Sequence, residues 1–299
     1  MPWLQISLEP PSSHVEQVAE LLEELGAVSV TYGDAADQPV LEPGPGETPL
    51  WQRTRLTGLF EANTDPRLIR TALEVALPAH WLEDFQQETL ADRPWERAWM
   101  DHFGPMRFGN RLWICPHDQQ PQDVATDSVI LKLDPGLAFG TGTHPTTALC
   151  LQWLDGADLR GATVLDYGCG SGVLAIAALL LGAERAIGTD NDPQALEASL
   201  ENARRNGVSE RLALYAPEAL PEIEADITLA NILAGPLIEL APRLTRLTRA
   251  GGHLVLSGIL GEQAGQVSAA YATALTLDEP MVREDWVRIH GVRSRADTD

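Results

Sequence analysis

Cysteine, lysine and long apolar runs are all scarce in this sequence of 299 residues. The three cysteines, Cys115, Cys150 and Cys169, are odd in number and far apart. This argues against a disulfide framework and favours a reducing cytoplasm. No apolar run approaches the roughly 20 residues that span a bilayer, and the N-terminus lacks the basic region and apolar core of a signal peptide. No Cys/His spacing is typical of a metal site. The sequence therefore predicts a cytoplasmic protein without a membrane span or a metal centre.

Basic residues are also scarce, since 21 Lys and Arg oppose 43 Asp and Glu for a formal net charge of −22. Such a charge repels nucleic acid and favours a basic partner, although acidity can also serve solubility alone. Residues 1–88 hold fifteen acidic residues against four arginines, a net charge of −11. We interpret this region as a docking domain for something basic. A small structural domain with solvated acids is the alternative.

The same 88 residues alternate between strand and helix patterns in the order β-α-β-β-α-β, which is typical of a ferredoxin-like domain. Ser13 and Glu16 form a potential capping box for the first helix. Asp65-Pro66 is a typical start for the second. The fourth strand is predicted over residues 80–87.

Residues 89–104 predict a helical linker to a second domain, residues 105–299. Trp95, Trp99 and Phe103 recur at i, i+4 and i+8 and therefore share one helix face. Such an aromatic stripe packs into a core more often than it binds a ligand. We expect it to hold the linker against the second domain.

The most informative stretch runs from Ala162 to Ala178. A buried-strand pattern is followed by glycines at 168, 170 and 172 and then by an apolar helix pattern. Glycine allows the backbone to bend sharply and a ligand to come close. A strand, glycine loop and helix in this order place a ligand at a helix N-terminus in an open α/β sheet.

Two acidic residues indicate which ligand this is. The spacing is G-x-G-x-G rather than the G-x-G-x-x-G of dinucleotide binders. Asp166, just before the first glycine, would repel a pyrophosphate but suits a ligand with an ammonium and a sulfonium. Asp190 lies 22 residues beyond Gly168, where an acid binds the hydroxyls of a ribose. The set predicts an S-adenosylmethionine site, with a tight turn in another α/β protein as the alternative.

A second glycine-rich stretch, residues 134–147, holds three glycines and four threonines before an apolar helix at 148–154. Its backbone and hydroxyl groups are candidates to cover a ligand held by the first loop. The alternative is a loop that only caps the helix. His144 is a candidate general base, although a capping role is favoured.

Strand and helix patterns alternate beyond residue 172, which predicts a mainly parallel sheet with crossover helices. Asp192-Pro193 starts one helix, in which Leu196, Leu200 and Ala203 share a face. Residues 237–247 predict another.

These motifs resemble those of known proteins. Asp166-Tyr-Gly-Cys-Gly-Ser-Gly172 with Asp190 resembles class I S-adenosylmethionine-dependent methyltransferases. More narrowly, Leu-Asp-Pro-Gly-Leu-Ala-Phe-Gly-Thr-Gly-Thr-His-Pro-Thr-Thr at 133–147, Trp-Glu-Arg-x-Trp at 95–99 and Leu-Ala-Asn-Ile-Leu at 229–233 resemble the bacterial ribosomal protein L-eleven methyltransferase family. The resemblance covers the whole chain and is strongest over residues 95–260.

The resemblance implies trimethylation of lysine ε-amines and of the N-terminal α-amine on that basic ribosomal protein. It implies an α/β fold with a Rossmann-like class I methyltransferase domain, built on a mainly parallel seven-stranded sheet. A small α+β ferredoxin-like domain would precede it, grip the substrate and move on a flexible linker. The motif positions imply Asn231 as the catalytic residue and these cofactor contacts: Thr147, Gly168, Asp190, Asn231, Asp166, Gly170, Phe139, Thr141 and Gly142.

The chemistry of the acceptor follows from general principles. Other amino methyltransferases have Asn-Pro-Pro-Tyr where this chain has Asn231-Ile-Leu-Ala, which argues against a planar amide or adenine and leaves room for an alkyl amine. A lysine amine has a pKa near 10.4 and must lose a proton before it attacks, which desolvation favours. Positioning then suffices without a dedicated base. The alternatives are a methyltransferase of another protein amine, a small molecule or a nucleic acid, and a non-catalytic S-adenosylmethionine-binding protein.

Overall fold

The computed structural model describes residues 3–36, 51–90, 104–121, 125–133 and 144–295. The chain divides into two compact units, Met1–Ala98 and Trp99–Asp299. The aromatic stripe predicted from Trp95 to Phe103 lies outside the described residues, as does most of the predicted linker. None of the described helices is long and apolar enough to cross a membrane.

The N-terminal unit packs two helices against a four-stranded antiparallel sheet. Buried and partly exposed residues alternate along the third strand, so one face of that strand enters the core. Its Leu56 and Phe60 pack with Leu22 and Leu73 of the helices. The elements are β1 (Trp3–Leu8), α1 (Val15–Glu24), β2 (Ser29–Asp34), β3 (Thr54–Glu61), α2 (Pro66–Ala76) and β4 (Gln86–Leu90), in the sheet order β2-β3-β1-β4.

One predicted helix start in this unit is confirmed and one is wrong. The side chain of Asp65 accepts a hydrogen bond from the Arg67 N–H at 3.0 Å, with Pro66 in the first helical turn. The capping box of Ser13 does not form, because a 3₁₀ turn precedes α1 and the Ser13 hydroxyl bonds to the neighbouring His14 ring at 2.8 Å.

The predicted fourth strand at residues 80–87 is also misplaced. Residues Ala79–Leu82 form a 3₁₀ turn after Pro78, and the strand begins only at Gln86. The fixed backbone of proline favours such a turn, a local effect that the strand pattern did not include.

The C-terminal unit contains a large sheet and a separate three-stranded sheet. The three-stranded sheet has the order β5-β6-β7, and the large sheet has the order β10-β9-β8-β11-β12-β15-β13 with β14 added on β15. The first five strands of the large sheet pair in parallel, whereas β15 is antiparallel to each of its neighbours. The strands are β5 (Met106–Phe108), β6 (Leu112–Cys115), β7 (Val129–Lys132), β8 (Thr163–Tyr167), β9 (Arg185–Thr189), β10 (Leu212–Tyr215), β11 (Ala225–Asn231), β12 (Thr248–Leu260), β13 (Leu275–Leu277), β14 (Met281–Arg283) and β15 (Trp286–Arg293).

Helices cover both faces of this large sheet. Along the strands, Val164, Leu229 and Val255 join one core cluster, while their neighbours Leu165 and Ala230 join the other. This alternation follows from the two-residue period of a strand. Helices α3 (Pro145–Gly156), α4 (Val173–Leu180) and α5 (Pro193–Arg205) contribute to the first cluster, and α6 (Ala234–Glu239), α7 (Ala241–Leu247) and α8 (Ala264–Tyr271) contribute to the second.

Residues 237–247 are helical as predicted except at Leu240, where the structure divides them between two helices. The first ends at Glu239 and the second begins at Ala241, with a proline in its first turn. Pro242 lacks the N–H that a continuous helix would need there, which explains the break.

Candidate active site

The glycine loop lies where two parallel strands end. Tyr167 of β8 is in register with Thr189 of β9, so both strands end at one edge of the sheet. The N–H groups of Gly168 and Cys169 donate to the Thr189 carbonyl at 2.8 and 3.0 Å. Asp190 follows directly, so the strand pairing brings both predicted acids to the same loop.

The glycines of this loop are required by the protein itself. Gly168, Gly170 and Gly172 have φ of 79°, 53° and 76°, in the left-handed region that favours glycine. A Cβ at Gly168 would lie 2.3 Å from Ile232 Cγ2, and one at Gly172 would lie 2.8 Å from Ser199 Oγ. Part of the glycine pattern is therefore explained by turn geometry and packing, before any ligand is considered.

Two polar side chains of α5 bind the carbonyl groups of the loop. Ser199 Oγ donates to the Gly170 carbonyl at 2.8 Å, and Asn202 Nδ2 donates to the Ser171 carbonyl at 2.9 Å. Neither residue was predicted from the sequence, although their spacing of three residues places both on one face of the helix. Of the predicted face, Ala203 is buried, whereas Leu196 and Leu200 are only partly buried; the other buried residues of α5 are Ala195, Ser199 and Asn202.

Asp166 is almost completely buried, with 1% of its surface exposed. Its Oδ2 accepts from the Ala175 N–H at 3.1 Å, and its Oδ1 has no hydrogen-bond partner among the described residues. The pKa of Asp166 is raised to about 7, chiefly by burial and further by Asp190, against the lowering effect of the Ala175 hydrogen bond. A cationic group of a ligand would supply the missing partner and stabilise the charged form.

Asp190 is half-buried and fixed by the backbone around it. Its Oδ2 accepts from the Gly170 N–H at 2.9 Å, and its Oδ1 accepts from the Asp192 N–H at 3.0 Å. A carboxylate oxygen can accept more than one hydrogen bond. Both oxygens can therefore accept further bonds from the hydroxyls of a ribose at this edge.

Asn231 and Thr147 meet beside the same loop. Ala230 of β11 pairs with Tyr167 of β8, so Asn231 ends its strand next to Gly168. The Asn231 Nδ2 donates to Thr147 Oγ1 at 3.3 Å, and Thr147 is buried in the first turn of α3. This bond orients the amide, so the Asn231 Oδ1 is the atom positioned to accept from another donor.

The turn after Asn231 also packs against strand β12, a contact that was not predicted from the sequence. Gly258 of β12 has a φ of 85°, and a Cβ there would lie 2.2 Å from the Ile232 carbonyl oxygen. Because Gly168 contacts the Ile232 side chain, two glycines fix the Asn231–Ala234 turn by close approach. The pairing of Asn231 with Ser257 follows from the fold and gave no signal in the sequence.

His144 caps α3, as favoured by the sequence. Its Nδ1 accepts from the Thr146 N–H at 3.4 Å and lies 2.7 Å from the Thr146 hydroxyl. Its ring also packs edge-on against Trp286, with centroids 4.7 Å apart. Partial burial of the ring lowers the pKa of His144, while Glu284 opposes this effect.

The structure thus brings together Thr147, Asp166, Gly168, Gly170, Asp190 and Asn231. Phe139, Thr141 and Gly142 lie outside the described residues. Within the described part of the chain, no group of His, Cys, Asp and Glu could hold a metal ion.

Known proteins match this chain over nearly its whole length. The family described as Ribosomal protein L11 methyltransferase (PrmA) matches residues 2–294. A ribosomal protein L11 methyltransferase of Pseudomonas putida KT2440 is 57% identical over 296 residues, 98% of this chain and 100% of that relative. One of Pseudomonas aeruginosa LESB58 is 58% identical over 302 residues, 99% and 100% of the two chains. A solved ribosomal protein L11 methylase of Lactobacillus delbrueckii subsp. bulgaricus, 34% identical, superposes with a TM-score of 0.59 over 64% of this chain and 100% of that one.

Proposed function

We propose that this chain, which belongs to the ribosomal protein L11 methyltransferase family and methylates L11 with S-adenosylmethionine as methyl donor, trimethylates lysine ε-amines and the N-terminal α-amine. The observation that carries the cofactor assignment is the buried Asp166 carboxyl, whose Oδ1 has no hydrogen-bond partner among the described residues, at a glycine loop between Asp190 and Asn231. A cationic ligand with a ribose suits that set of groups.

The cofactor fits the residues that the site provides. Asp166 would bind the ammonium, Asp190 would bind the ribose hydroxyls, and the loop from Gly168 to Gly170 would line the pocket. Phe139, Thr141 and Gly142 are proposed to complete it from the preceding segment. When bound, S-adenosylmethionine supplies an electrophilic methyl group on its sulfonium.

Asn231 is the proposed catalytic residue. The Thr147 hydroxyl holds its Nδ2, so that the amide Oδ1 can accept an N–H of the incoming amine and aim the nitrogen lone pair. Burial of the amine at this edge lowers its pKa and favours the neutral nucleophile. His144 is engaged as a helix cap, which supports a mechanism by positioning without a dedicated side-chain base.

We propose a division of roles along the chain. Residues 1–88 would form a ferredoxin-like substrate-recognition domain, residues 89–104 a helical linker beyond the end of β4 at Leu90, and residues 105–299 the methyltransferase domain, whose large sheet has β14 as an eighth strand beside the seven expected. The β-α-β-β-α-β order of the first unit supports the first assignment. In the large sheet the parallel strands lie in the order β10-β9-β8-β11-β12, which is 3-2-1-4-5 when β8 is counted as the first, and this order supports the methyltransferase domain. The negative charge supports an enzyme that docks a basic protein without binding nucleic acid directly, and the three free cysteines support a location in a reducing cytoplasm.

The test is transfer of radiolabelled methyl groups to purified L11, with peptide mass mapping of the product. We expect methylated lysines and a methylated N-terminus, and a larger loss of transfer than of cofactor binding in Asn231→Ala. Labelling of small molecules or RNA instead of L11 would contradict the proposal. Cofactor binding without any transfer would favour a non-catalytic binding protein.

A further inference from the structure

A groove lined by three arginines lies on the C-terminal unit. It has a volume of about 760 Å³ and shares no residue with the candidate active site. The groove lies between the segment that precedes β11 and helix α7. Its lining comprises Leu220, Pro221, Glu222, Ile223, Glu224, Arg243, Arg246, Leu247 and Arg293.

Two of its guanidinium groups are held in place by the protein. Arg243 donates to the Pro217 carbonyl and lies over the Tyr167 ring, 5.6 Å from its centroid. Arg293 donates to the Thr248 carbonyl and forms an ion pair with Glu224 at 3.2 Å. These contacts fix the positions of both cations before a ligand arrives.

The third guanidinium is not neutralised within the described residues. The Arg246 guanidinium has neither a hydrogen-bond nor an ion-pair partner there, although its backbone carbonyl accepts from Arg293, and among the same residues Arg243 has no carboxylate within ion-pair distance. By contrast, Arg205 and Arg249 are paired with Glu201 and Asp226. The lining therefore holds three arginines against two glutamates, a local excess of positive charge in a chain of net charge −22.

The lining also indicates the shape of the missing anion. Leu220, Ile223 and Leu247 give the groove an apolar floor, which inorganic phosphate would not use. Arginine binds phosphate oxygens through its planar fork of donors. The overall negative charge repels a long polyanion, and Glu222 at the rim suits a hydroxyl or amino donor instead.

We propose that this groove binds an organic phosphate of the nucleotide class. Its phosphates contact Arg243 and Arg246, and its apolar ring covers Leu220, Ile223 and Leu247. The site is separate from that of S-adenosylmethionine, so the proposal does not depend on the methyl-transfer assignments.

The experiment is calorimetric titration of the whole protein with ADP, in the presence of saturating S-adenosylhomocysteine to fill the cofactor site. We expect binding by the wild type and a loss of about tenfold in Arg246→Ala, because one charge-assisted contact disappears. Arg160→Ala is the matched control, since Arg160 is exposed and paired with Asp158 elsewhere on the surface. It should bind ADP like the wild type, and circular dichroism should show all variants folded.

Further titrations separate the possible ligands. Adenosine and pyrophosphate should each bind more weakly than ADP. If pyrophosphate bound as tightly as ADP, the proposal of an organic ligand would be overturned. Tighter binding of a short RNA oligonucleotide than of ADP would indicate a nucleic-acid surface instead. No ADP binding under saturating S-adenosylhomocysteine, or unchanged affinity in Arg246→Ala, would also overturn the proposal.

Discussion

At the scale of single residues, Asp166 is held where its own negative charge is unfavourable. Burial raises the pKa, and one carboxyl oxygen has no partner within the described part of the chain. Asp190, twenty-four residues later, is instead half-buried and bound by two backbone N–H groups. The two acids therefore suit different ligand groups: Asp166 suits a cation, and Asp190 suits neutral hydroxyls.

Asp166 should make cofactor binding depend on pH. Since its pKa is about 7 in the free protein, binding of an ammonium to the charged form should release a proton below that pH. We expect affinity for S-adenosylmethionine to rise as pH increases through 7. Calorimetry in buffers of different ionisation enthalpy measures the released proton, and Asp166→Asn should abolish both effects.

The stability of the free protein should show the opposite trend. A raised carboxyl pKa contributes stability that is complete below the unfolded value of 3.8 and is lost as pH rises through about 7. Asp166→Asn keeps an oxygen for the Ala175 N–H and should remove this contribution. An unchanged pH dependence of binding in that variant would disprove the role of Asp166.

Asp190→Ala should weaken S-adenosylmethionine binding about ten- to hundredfold, because hydrogen bonds to a charged acceptor are lost. The substitution also removes the acceptor for the Gly170 N–H. Asp190→Asn keeps one oxygen and should lose less affinity. Calorimetry on folded variants measures both values, and equal affinity of Asp190→Ala and the wild type would refute the assignment.

At the scale of elements, local signals were predictable and tertiary contacts were not. The β8–loop–α4 unit and the caps at Asp65 and Asp192 follow from adjacent residues, and the structure confirms them. The buried face of α5 was predicted only in part, because Ser199 and Asn202 satisfy loop carbonyls some 30 residues away. The role of Gly258 depends on a neighbouring strand turn, which no local pattern reveals.

Gly258→Ala should destabilise the protein by about 3 kcal/mol, since left-handed strain and a backbone clash both arise. Its Cβ would lie 2.2 Å from the Ile232 carbonyl oxygen. Gly161→Ala is the matched control, because Gly161 also has a positive φ, 70°, but has nothing within 4 Å of its Cβ position. That control should lose about 1 kcal/mol. Urea unfolding measures both, and equal losses would show that the close approach has no energetic role.

The pairing of β12 with β15 should be sensitive to pH through two stacked histidines. His253 Nδ1 lies 3.0 Å from His290 Nε2, and His290 Nδ1 lies 2.6 Å from Asp278 Oδ2. The pKa of His253 is lowered, chiefly by burial and further by His290 and Arg249, whereas Asp278 raises it. A lowered pKa gives stability that is present above the unfolded value of 6.5 and is lost as pH falls through the folded value.

We therefore expect the contribution of His253 to lower the melting temperature as pH falls below about 6.5, opposite in sign to that of Asp166, so that His253→Gln should lose less melting temperature than the wild type over this range. Replacement of the exposed His80 in the N-terminal unit by Gln is the control for the loss of a histidine elsewhere in the chain. Scanning calorimetry across this range measures the melting temperature. An identical slope in His253→Gln and the wild type would exclude the histidine pair as its source.

At the scale of the whole molecule, charge and chemistry occupy different parts of the chain. The described candidate site residues all lie beyond residue 140, whereas half of the net charge lies before residue 89. Each compact unit has its own buried core. This separation is the basis for expecting that cofactor binding and protein docking can be uncoupled.

A chain that begins at Asp92 should keep both cores of the C-terminal unit and bind S-adenosylmethionine with near-normal affinity. It should methylate L11 poorly, because remote docking contacts orient the reacting amine. The loss should fall mainly on the association rate, since acidic steering of a basic partner acts on the encounter. For the full chain, that rate should decrease as salt rises past about 0.1 M, where screening acts beyond about 10 Å. Stopped-flow association and methyl-transfer assays measure these effects. Equal methylation of L11 by the shortened and full chains would show that residues 1–88 do not dock the substrate.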